Sequence, residues 1–233
     1  MTSIAANMQA VIGRISRACT AVGRDPRAVA LLAVAKTWPV AALREAAAAG
    51  QRAFGENYVQ EALAKVDALR SLDLEWHFIG PLQSNKTRAV AEHFAWVHSV
   101  DRLKIAERLA AQRPAGMPPL NVCIEVNVSG EASKSGVAPG EAPALCRAVA
   151  ALPQLLLRGL MTIPEPATAA DAKSAAVRRR FAQLRELRDE LNAGGLNLDT
   201  LSMGMSHDLE EAIMEGATIV RVGTAIFGER VKS

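Results

Sequence analysis

Two kinds of segment alternate along the chain. Short, continuously apolar segments predict buried strands, because a strand that is covered on both faces of a sheet has no polar face. Longer segments, in which apolar residues recur every three or four positions, predict amphipathic helices. Eight strands are predicted, at residues 31–37, 52–57, 76–80, 95–98, 120–127, 155–161, 199–203 and 217–222.

Helices are predicted before the first strand and between nearly all the strands. The first covers residues 2–22, where Ile4, Met8, Val11 and Ile15 fall on one face. Asp101 is positioned to cap a later helix through its carboxylate. The other helices are predicted at residues 39–49, 59–69, 84–93, 101–112, 139–152 and 208–215, with a long helix that includes residues 177–191.

The regular alternation of strands and helices indicates a parallel sheet. Eight such units in a chain of this length are typical of a (β/α)8 barrel. An open doubly wound sheet is the alternative, but its nucleotide-binding glycine turn is missing after the first strand. We therefore expect an α/β fold, a single (β/α)8 TIM barrel with an extra N-terminal helix, which forms one domain over residues 1–233.

Composition narrows the classes of function. The chain has 27 basic and 24 acidic residues. A net charge of +3 is too small to create an electrostatic field that would favour nucleic-acid binding. No apolar run approaches the roughly 20 residues of a membrane span, and the first residues do not resemble a secretory signal. Cys19, Cys123 and Cys146 are scattered, which predicts reduced thiols in a cytoplasmic protein and no metal site.

Lys36 is the first candidate for chemistry, because it ends the first apolar strand. If its stem is buried, the low dielectric disfavours the ammonium and lowers the pKa of the amine. A neutral amine is a nucleophile whose natural partner is an aldehyde, with which it forms a Schiff base. The alternative is a lysine that extends to the surface and has no chemical role.

A second candidate site lies at the end of the last strand. Arg221 ends that strand, and Gly223 and Thr224 then open a short helical segment. Backbone N–H groups at a helix start bind phosphate, a glycine lets a ligand approach closely, and barrels often bind phosphate after strands seven and eight. Ser206, in the preceding loop, could donate its hydroxyl to the same phosphate. A phosphorylated aldehyde would therefore suit Lys36 at one end and this segment at the other.

Other polar residues are assigned structural roles. His77 is interpreted as a histidine of the core, and His207 does not fit a hydrolase triad. The run 178–180, three arginines, is interpreted as a solvated helix face. Neither this run nor the loop around Lys134 can be assigned to a partner from the sequence.

Six longer motifs stand at or near strand ends: AVAKT at 33–37, FGENYVQE at 54–61, HFIGPLQSNK at 77–86, RGLM at 158–161, LSMGMSHD at 201–208 and VRVGTAIFG at 220–228. Together these segments resemble the pyridoxal phosphate homeostasis family, which binds pyridoxal 5'-phosphate (PLP). The resemblance covers nearly the whole chain in order, and it implies the barrel of alanine racemases, PLP fold type III.

The resemblance implies a role for each candidate residue. Lys36 would carry PLP covalently, and Arg221 would face the pyridine nitrogen. Ser206, Gly223 and Thr224 would hold the phosphate. Asn57 would lie near the ring oxygen or near the Schiff base.

The resemblance also implies a carrier of PLP that influences amino-acid and keto-acid balance, and two features weigh against an enzyme. An arginine can only donate to the ring nitrogen, which weakens the electron sink that PLP chemistry needs, although alanine racemases share this arginine. Those racemases also use a tyrosine from a further β domain. Tyr58 is the only tyrosine here and the chain ends at Ser233, so we expect no such domain.

The sequence thus predicts a monomeric protein with no catalytic residues, whose partners are PLP and, as a further possibility, PLP-dependent apo-enzymes. The alternative is a PLP-dependent amino-acid racemase or a related enzyme with a small substrate. A third interpretation, an aldolase of phosphorylated sugars that uses Lys36, predicts turnover without a bound chromophore.

Overall fold

The structure, a computed structural model, describes residues 3–130, 135–164 and 170–229. Strands and helices alternate along it as the sequence predicts. The strands are β1 (Ala30–Val34), β2 (Ala53–Glu56), β3 (Glu75–Phe78), β4 (Trp96–Val100), β5 (Leu120–Glu125), β6 (Leu155–Met161), β7 (Thr200–Ser202) and β8 (Ile219–Val222). The helices are α1 (Ile4–Ala21), α2 (Val40–Ala48), α3 (Val59–Ala68), α4 (Thr87–His93), α5 (Leu103–Gln112), α6 (Ala142–Ala150), α7 (Ala170–Ala193), α8 (Leu209–Met214) and α9 (Thr224–Phe227).

The eight strands form a closed parallel barrel in chain order, in which β8 pairs with β1. The predicted (β/α)8 barrel and the extra N-terminal helix are confirmed, and closure excludes the open sheet. Most strands are shorter than predicted at their carboxyl ends. Lys36 therefore lies two residues beyond β1, in the turn that follows it.

The main core fills the space between the barrel and its helices. Helix α1 covers part of it with Met8, Val11, Ile15 and Cys19, which are buried on one face. Ser3 begins this helix, because its hydroxyl accepts a hydrogen bond from the N–H of Ala6 at 3.2 Å.

The inside of the barrel is divided into apolar and polar parts. Two small apolar clusters lie apart from the main core, one formed by Leu32, Ile79 and Ile219 and the other by Trp96, Cys123 and Met161. Buried polar side chains from β3, β4, β7 and β8 also lie in the barrel: His77, His98, Ser202 and Arg221. His77 is 3% exposed, so its assignment to the core is confirmed.

One local prediction was wrong. Asp101 does not cap α5, because Arg102 occupies the N-cap position and the Asp101 carboxylate instead accepts hydrogen bonds from the Arg102 guanidinium. In the arginine run, Arg178 and Arg179 are exposed, as predicted for a solvated helix face, and Arg178 also donates to Glu215, the residue that follows α8, at 2.9 Å. Lys134 lies outside the described residues.

The cysteines Cys19, Cys123 and Cys146 are buried free thiols. Among the residues that the structure describes, His, Cys, Asp and Glu form no group of three that could hold a metal ion. Within the same residues, every helix is too short or too polar to cross a bilayer.

Candidate functional site

A cavity of about 220 Å³ opens at the carboxyl ends of the strands, where (β/α)8 barrels place their functional groups. The structure brings all six predicted site residues to its wall, although they come from four different strand ends. The wall is formed by Lys36, Asn57, Ser206, Arg221, Gly223 and Thr224, together with Val34, Trp38, Ile79, Ile163, Met205, His207 and Gly228.

The backbone around Lys36 is held in an uncommon conformation. Thr37, the next residue, has φ of 68°, in the left-handed region that a β-branched side chain rarely adopts. The N–H of Ala35, on the other side of Lys36, donates to the carbonyl of Gly55 on β2 at 2.9 Å, and its carbonyl accepts from Trp38 at 3.1 Å. The lysine thus extends from a tight turn whose geometry the surrounding structure imposes.

A buried ionic cluster, formed by Lys65, Glu56 and Glu61, supports this turn from behind. The Lys65 ammonium donates to Glu56 Oε1 and to the carbonyl of Ala35, each at 2.7 Å, and to Glu61 Oε1 at 2.5 Å. The same Glu61 oxygen accepts from the N–H of Thr37 at 2.5 Å. The Lys65 cluster therefore binds the backbone directly before and directly after Lys36.

Glu56 is the least satisfied member of the Lys65 cluster. Its side chain is completely buried, and its Oε2 has no hydrogen-bond partner among the described residues. Burial raises the pKa of this carboxyl to about 7, and the nearby Glu61 carboxylate acts in the same direction, while Lys65 and the charge of Lys36 oppose it. The base of the Lys36 turn therefore holds a carboxyl that titrates near neutral pH.

Asn57 follows β2 and presents an unsatisfied oxygen. Its Oδ1 is buried and has no partner within the described part of the chain. The position of its backbone depends on Gly80, because a Cβ at Gly80 would lie 2.3 Å from the carbonyl oxygen of Asn57. Only a glycine after β3 allows this approach. A buried polar atom without a partner in the wall of a cavity indicates a ligand that completes its hydrogen bonding.

Arg221 forms the inner wall of the cavity and is 3% exposed. Its Nη1 donates to Ser202 Oγ at 2.7 Å, and its Nη2 donates to the carbonyl of Thr162 at 2.8 Å. Burial lowers the pKa of Arg221 to about 10, although the Asp208 and Glu125 carboxylates oppose that shift. The guanidinium therefore stays charged at neutral pH and keeps donors for a ligand in the cavity.

The opposite wall is formed where the β7–α8 loop meets the start of α9. Ser206 Oγ accepts from the N–H of Ala225 at 3.3 Å, so the hydroxyl lies beside the first N–H groups of this short helix. Helix α1 holds the arrangement from outside. Arg14 donates to the Ser206 carbonyl at 2.9 Å and pairs with Glu210, and the Asn7 amide donates to the carbonyl of Ile226 at 2.8 Å.

Gly223 lies close to the backbone of the neighbouring strand β1. A Cβ at this position would lie 3.2 Å from the carbonyl oxygen of Val34 and 3.4 Å from its Cβ, on the neighbouring strand. A larger residue would therefore need a shift of a few tenths of an ångström between β8 and β1. The close approach expected from the sequence is thus made first by the protein itself.

Sequence reasoning missed the residues that position the site. Lys65, Glu61 and His98 reach it through contacts between separate elements, which no local pattern shows. Trp38 and Phe227 were also missed: their rings stack at 5.6 Å between the β1 turn and α9. One signal was available, because Glu56 is a carboxylate at the end of an otherwise buried strand and must have a partner there.

The fold and the site define a class of protein. The family described as "Alanine racemase, N-terminal domain" matches residues 6–231, almost the whole chain. The chain is also 66% identical to the pyridoxal phosphate homeostasis protein of Pseudomonas aeruginosa, over 99% of this chain and 97% of that one. It is 52% identical to the protein of the same name from Escherichia coli, over 99% and 98% of the two chains. It belongs to the pyridoxal phosphate homeostasis protein family.

A solved structure agrees with this membership. PipY of Synechococcus elongatus, determined with PLP bound, superposes on this chain with a TM-score of 0.80 at 42% sequence identity. The match covers 92% of this chain and all of PipY.

Proposed function

We propose that this protein binds PLP reversibly through a Schiff base on Lys36 and serves as an intracellular carrier or buffer of PLP. The observation that carries the proposal is the cavity that joins Lys36, Arg221 and the Ser206–Thr224 wall in one space. The names of the curated relatives and the PLP-bound PipY structure support it. Residues 1–233 would act as one PLP-binding domain.

The residues that line the cavity suit the chemistry of PLP. Asn57 Oδ1, which has no partner in the described part of the chain, can accept from the ring hydroxyl or from the linkage, and the Arg221 guanidinium can donate to the ring nitrogen. Ser206, Gly223 and Thr224 offer a hydroxyl and helix-start N–H groups, which suit a phosphate. In the covalent step, Lys36 Nζ would form a C=N bond to the aldehyde carbon, and the aldehyde oxygen would leave as water.

The first test is the visible absorption of the purified protein after PLP is added, followed by borohydride reduction and peptide mass analysis. The expected result is an absorption band that reduction abolishes and a label on Lys36. Lys36→Ala should lose both, while Lys104→Ala, which removes an exposed lysine of α5, should keep both. A label on Lys86, which lines a neighbouring groove, would contradict the proposal. Turnover of a phosphorylated sugar without any band would favour the aldolase.

We propose a carrier rather than an efficient enzyme, because the cavity offers few proton-transfer groups. PLP, when bound, supplies an electron sink, and a guanidinium that only donates weakens it. Tyr58 is 58% exposed and lies in the neighbouring groove. The absence of strong general acid–base help would lower a racemisation rate by roughly 10²–10⁴-fold.

One observation favours the alternative, a weak PLP-dependent racemase. Among the described residues, His207 is the one titratable group in the cavity wall besides Lys36 and Arg221. A racemase needs a second acid or base, and His207 could supply it. The test is deuterium exchange at the α-carbon of amino acids by the PLP-loaded protein. If the native protein catalyses this exchange and His207→Gln does not, although it still binds PLP, the racemase would be supported and the carrier proposal would be contradicted.

The cellular role follows from reversible binding. We propose that the protein acts in the cytoplasm as a monomer, delivers PLP to PLP-dependent apo-enzymes and so influences amino-acid and keto-acid balance. Size-exclusion chromatography with light scattering tests the monomer. Transfer is tested by the activity that a PLP-dependent apo-enzyme regains from the loaded protein, compared with an equal amount of free PLP.

A further inference from the structure

A chain of polar side chains crosses the inside of the barrel from its amino-terminal end to the cavity. It begins at Glu75, the first residue of β3, whose side chain is 51% exposed, and continues through His77, His98 and Ser202 to Arg221. The interior chain, as we call these five residues, has contacts of 2.8 Å from Glu75 to His77, 2.9 Å from His77 to His98, and 2.7 Å for each of the last two.

The two ends of the interior chain set its direction. Arg221 can only donate, so Ser202 Oγ accepts from it and can give its own proton to His98 Nδ1. At the other end an ionised Glu75 can only accept, so His77 Nε2 must carry a hydrogen. In a neutral His77, Nδ1 then accepts from the Nε2–H of His98. In this arrangement each residue donates its hydrogen to the next one in the direction from Arg221 to Glu75.

The neutral state of both histidines follows from their surroundings. Burial lowers the pKa of His77, although Glu75 opposes this shift. Burial lowers the pKa of His98 far more, and the nearby His77 and the Arg221 charge act in the same direction. His77 also stacks on Trp96, with the ring centres 5.4 Å apart and the planes at 5°. Glu75 stays ionised, because the His77 ring holds the pKa of this carboxyl below its usual value and Arg158 adds to that shift.

We propose that the interior chain is a one-way series of hydrogen bonds that positions the Arg221 guanidinium, and that Ser202, His98, His77 and Glu75 are positioning residues of the cofactor site. This inference rests on the proposed function, because it concerns how Arg221 faces PLP. Each residue of the interior chain holds the next one in a single tautomer or rotamer, and the last residue that is held in this way is Arg221.

Arg221 needs such support because its own partners are neutral. The described hydrogen bonds of its guanidinium go to a hydroxyl and to a carbonyl, Ser202 Oγ and Thr162 O. A hydroxyl accepts in many orientations, so Ser202 holds Arg221 firmly only if its own proton is directed elsewhere. His98 provides that direction, and His98 is in turn oriented by His77. The remaining N–H groups of the guanidinium are then held ready for a ring nitrogen in the cavity.

The direction of the interior chain can be measured in the protein without PLP. The sequence has four histidines, so ¹⁵N-labelled protein gives few signals, and His77→Gln and His98→Gln assign them. The expected result is a neutral ring with the hydrogen on Nε2 for both His77 and His98 at pH 7.5. A hydrogen on Nδ1 of His98, or a charged ring at either position, would overturn the proposal.

The effect on the cofactor site is measured as the dissociation constant of PLP and the position of its visible band. Ser202→Ala and His98→Leu break the interior chain and should each weaken PLP binding about tenfold. His98→Gln keeps a hydrogen-bond acceptor and a donor, so it should bind PLP nearly as tightly as the native protein does. A purely structural role of His98 would not predict this recovery of affinity. The visible band should shift in the broken variants and return in His98→Gln.

The far end of the interior chain gives the sharpest comparison. Glu75→Gln keeps an acceptor oxygen and should bind PLP nearly as the native protein does. Glu75→Leu removes the acceptor and should weaken binding several-fold, although it lies at the other end of the barrel. Glu107→Leu, which replaces an exposed glutamate of α5, is the matched control and should not change PLP binding.

The outcomes separate this proposal from the function on which it rests. A native protein that binds no PLP would contradict the proposed function, while the tautomers of the PLP-free protein would still test the direction of the interior chain. Normal PLP binding with equal dissociation constants for Ser202→Ala, His98→Leu and Glu75→Leu would overturn the positioning role and leave the carrier intact. If Ser202→Ala does not fold, the two Glu75 variants decide.

Discussion

The cavity is held at two ends by two buried polar networks of different chemistry. Behind Lys36, the Lys65 cluster places an ammonium and two carboxyl groups close together, and it binds the backbone on both sides of the lysine. Behind Arg221, the interior chain places three neutral side chains between a cation and a distant carboxylate. One network fixes a strained turn, and the other orients a single guanidinium.

This difference matters because buried charges and buried dipoles fail in different ways. Removing one partner of a buried ion pair leaves an uncompensated charge, which is strongly destabilising. Removing one member of a neutral chain leaves two polar groups unpaired, at a smaller cost. The two networks should therefore differ in stability, in pH dependence and in their influence on the ligand.

The largest effect is expected from Lys65→Met. It leaves Glu56 buried without its cation and removes the donor to the Ala35 carbonyl, so we expect a loss of about 3–5 kcal/mol in the free energy of unfolding. Urea denaturation measures it, with Lys104→Met as the surface control. The double variant Lys65→Met, Glu56→Gln should recover much of the loss. A single variant as stable as the control would show that the Lys65 cluster does not support the turn.

The two networks should respond to pH in opposite directions. Glu56, with a usual pKa of 4.5 raised to about 7 by burial, keeps its proton in the folded state after the unfolded chain has lost it. Its contribution to stability therefore falls as pH rises from about 4.5 to about 7. His77 and His98 have lowered pKa values, so unfolding takes up protons below their usual 6.5, and their contribution falls as pH drops below it.

Urea midpoints at pH 5, 6, 7 and 8 separate these contributions. Glu56→Gln should make stability fall less steeply with rising pH than in the native protein. His98→Gln should make stability fall less steeply as pH drops below 6.5. Glu107→Gln controls for the loss of a surface charge. If Glu56→Gln and the native protein had parallel pH profiles, Glu56 would have an ordinary pKa in the folded protein.

Ser202→Ala should be less destabilising than Lys65→Met. It removes one hydroxyl and leaves Arg221 Nη1 and His98 Nδ1 without their partner, so we expect a loss of about 1–3 kcal/mol. The measurement is again urea denaturation, without PLP. A loss equal to that of Lys65→Met would mean that the interior chain supports the barrel as strongly as the ion pairs support the turn.

The smallest effect is expected from Arg14→Ala on α1. This arginine is partly exposed, and its pair with Glu210 is worth at most about 1 kcal/mol of stability. It also donates to the Ser206 carbonyl, so its loss should weaken PLP binding a few-fold. Arg27→Ala, which breaks the exposed pair with Asp25, is the control. Equal PLP affinity in both variants would show that α1 does not position Ser206 for the ligand.

Much of the fold could be predicted from local patterns. The alternation of apolar strands and amphipathic helices is enough to predict the barrel. For one strand, Leu155–Met161, the predicted first and last residues agree with the structure. Helix ends were predicted less well, as Asp101 shows, because a cap depends on the rotamers of neighbouring residues. Arg178 is exposed as predicted, but its ion pair with Glu215 is not visible in the sequence, because Glu215 follows a different helix.

The residues that face the cavity were predictable, and their supports were not. The six predicted residues lie at the carboxyl ends of strands or just beyond them, and in a parallel barrel all these ends meet on one side. They are Lys36, Asn57, Ser206, Arg221, Gly223 and Thr224. His98 and Ser202 contribute through side-chain hydrogen bonds across the barrel, over 104 residues of sequence. The register of the strands decides such pairs, and the sequence pattern does not contain it.

The sequence by itself determined the class of fold, the end of the barrel where chemistry is possible and the residue types that could perform it. Those properties depend on periodicity and on strand ends, which are local. Only the tertiary structure decided that Lys65 and Glu61 hold the Lys36 turn, that Asn57 has a buried oxygen without a partner among the described residues, and that Arg221 is joined to Glu75 through the barrel. Hydrogen bonds act over about 3 Å, and closure of the barrel brings distant residues within that range.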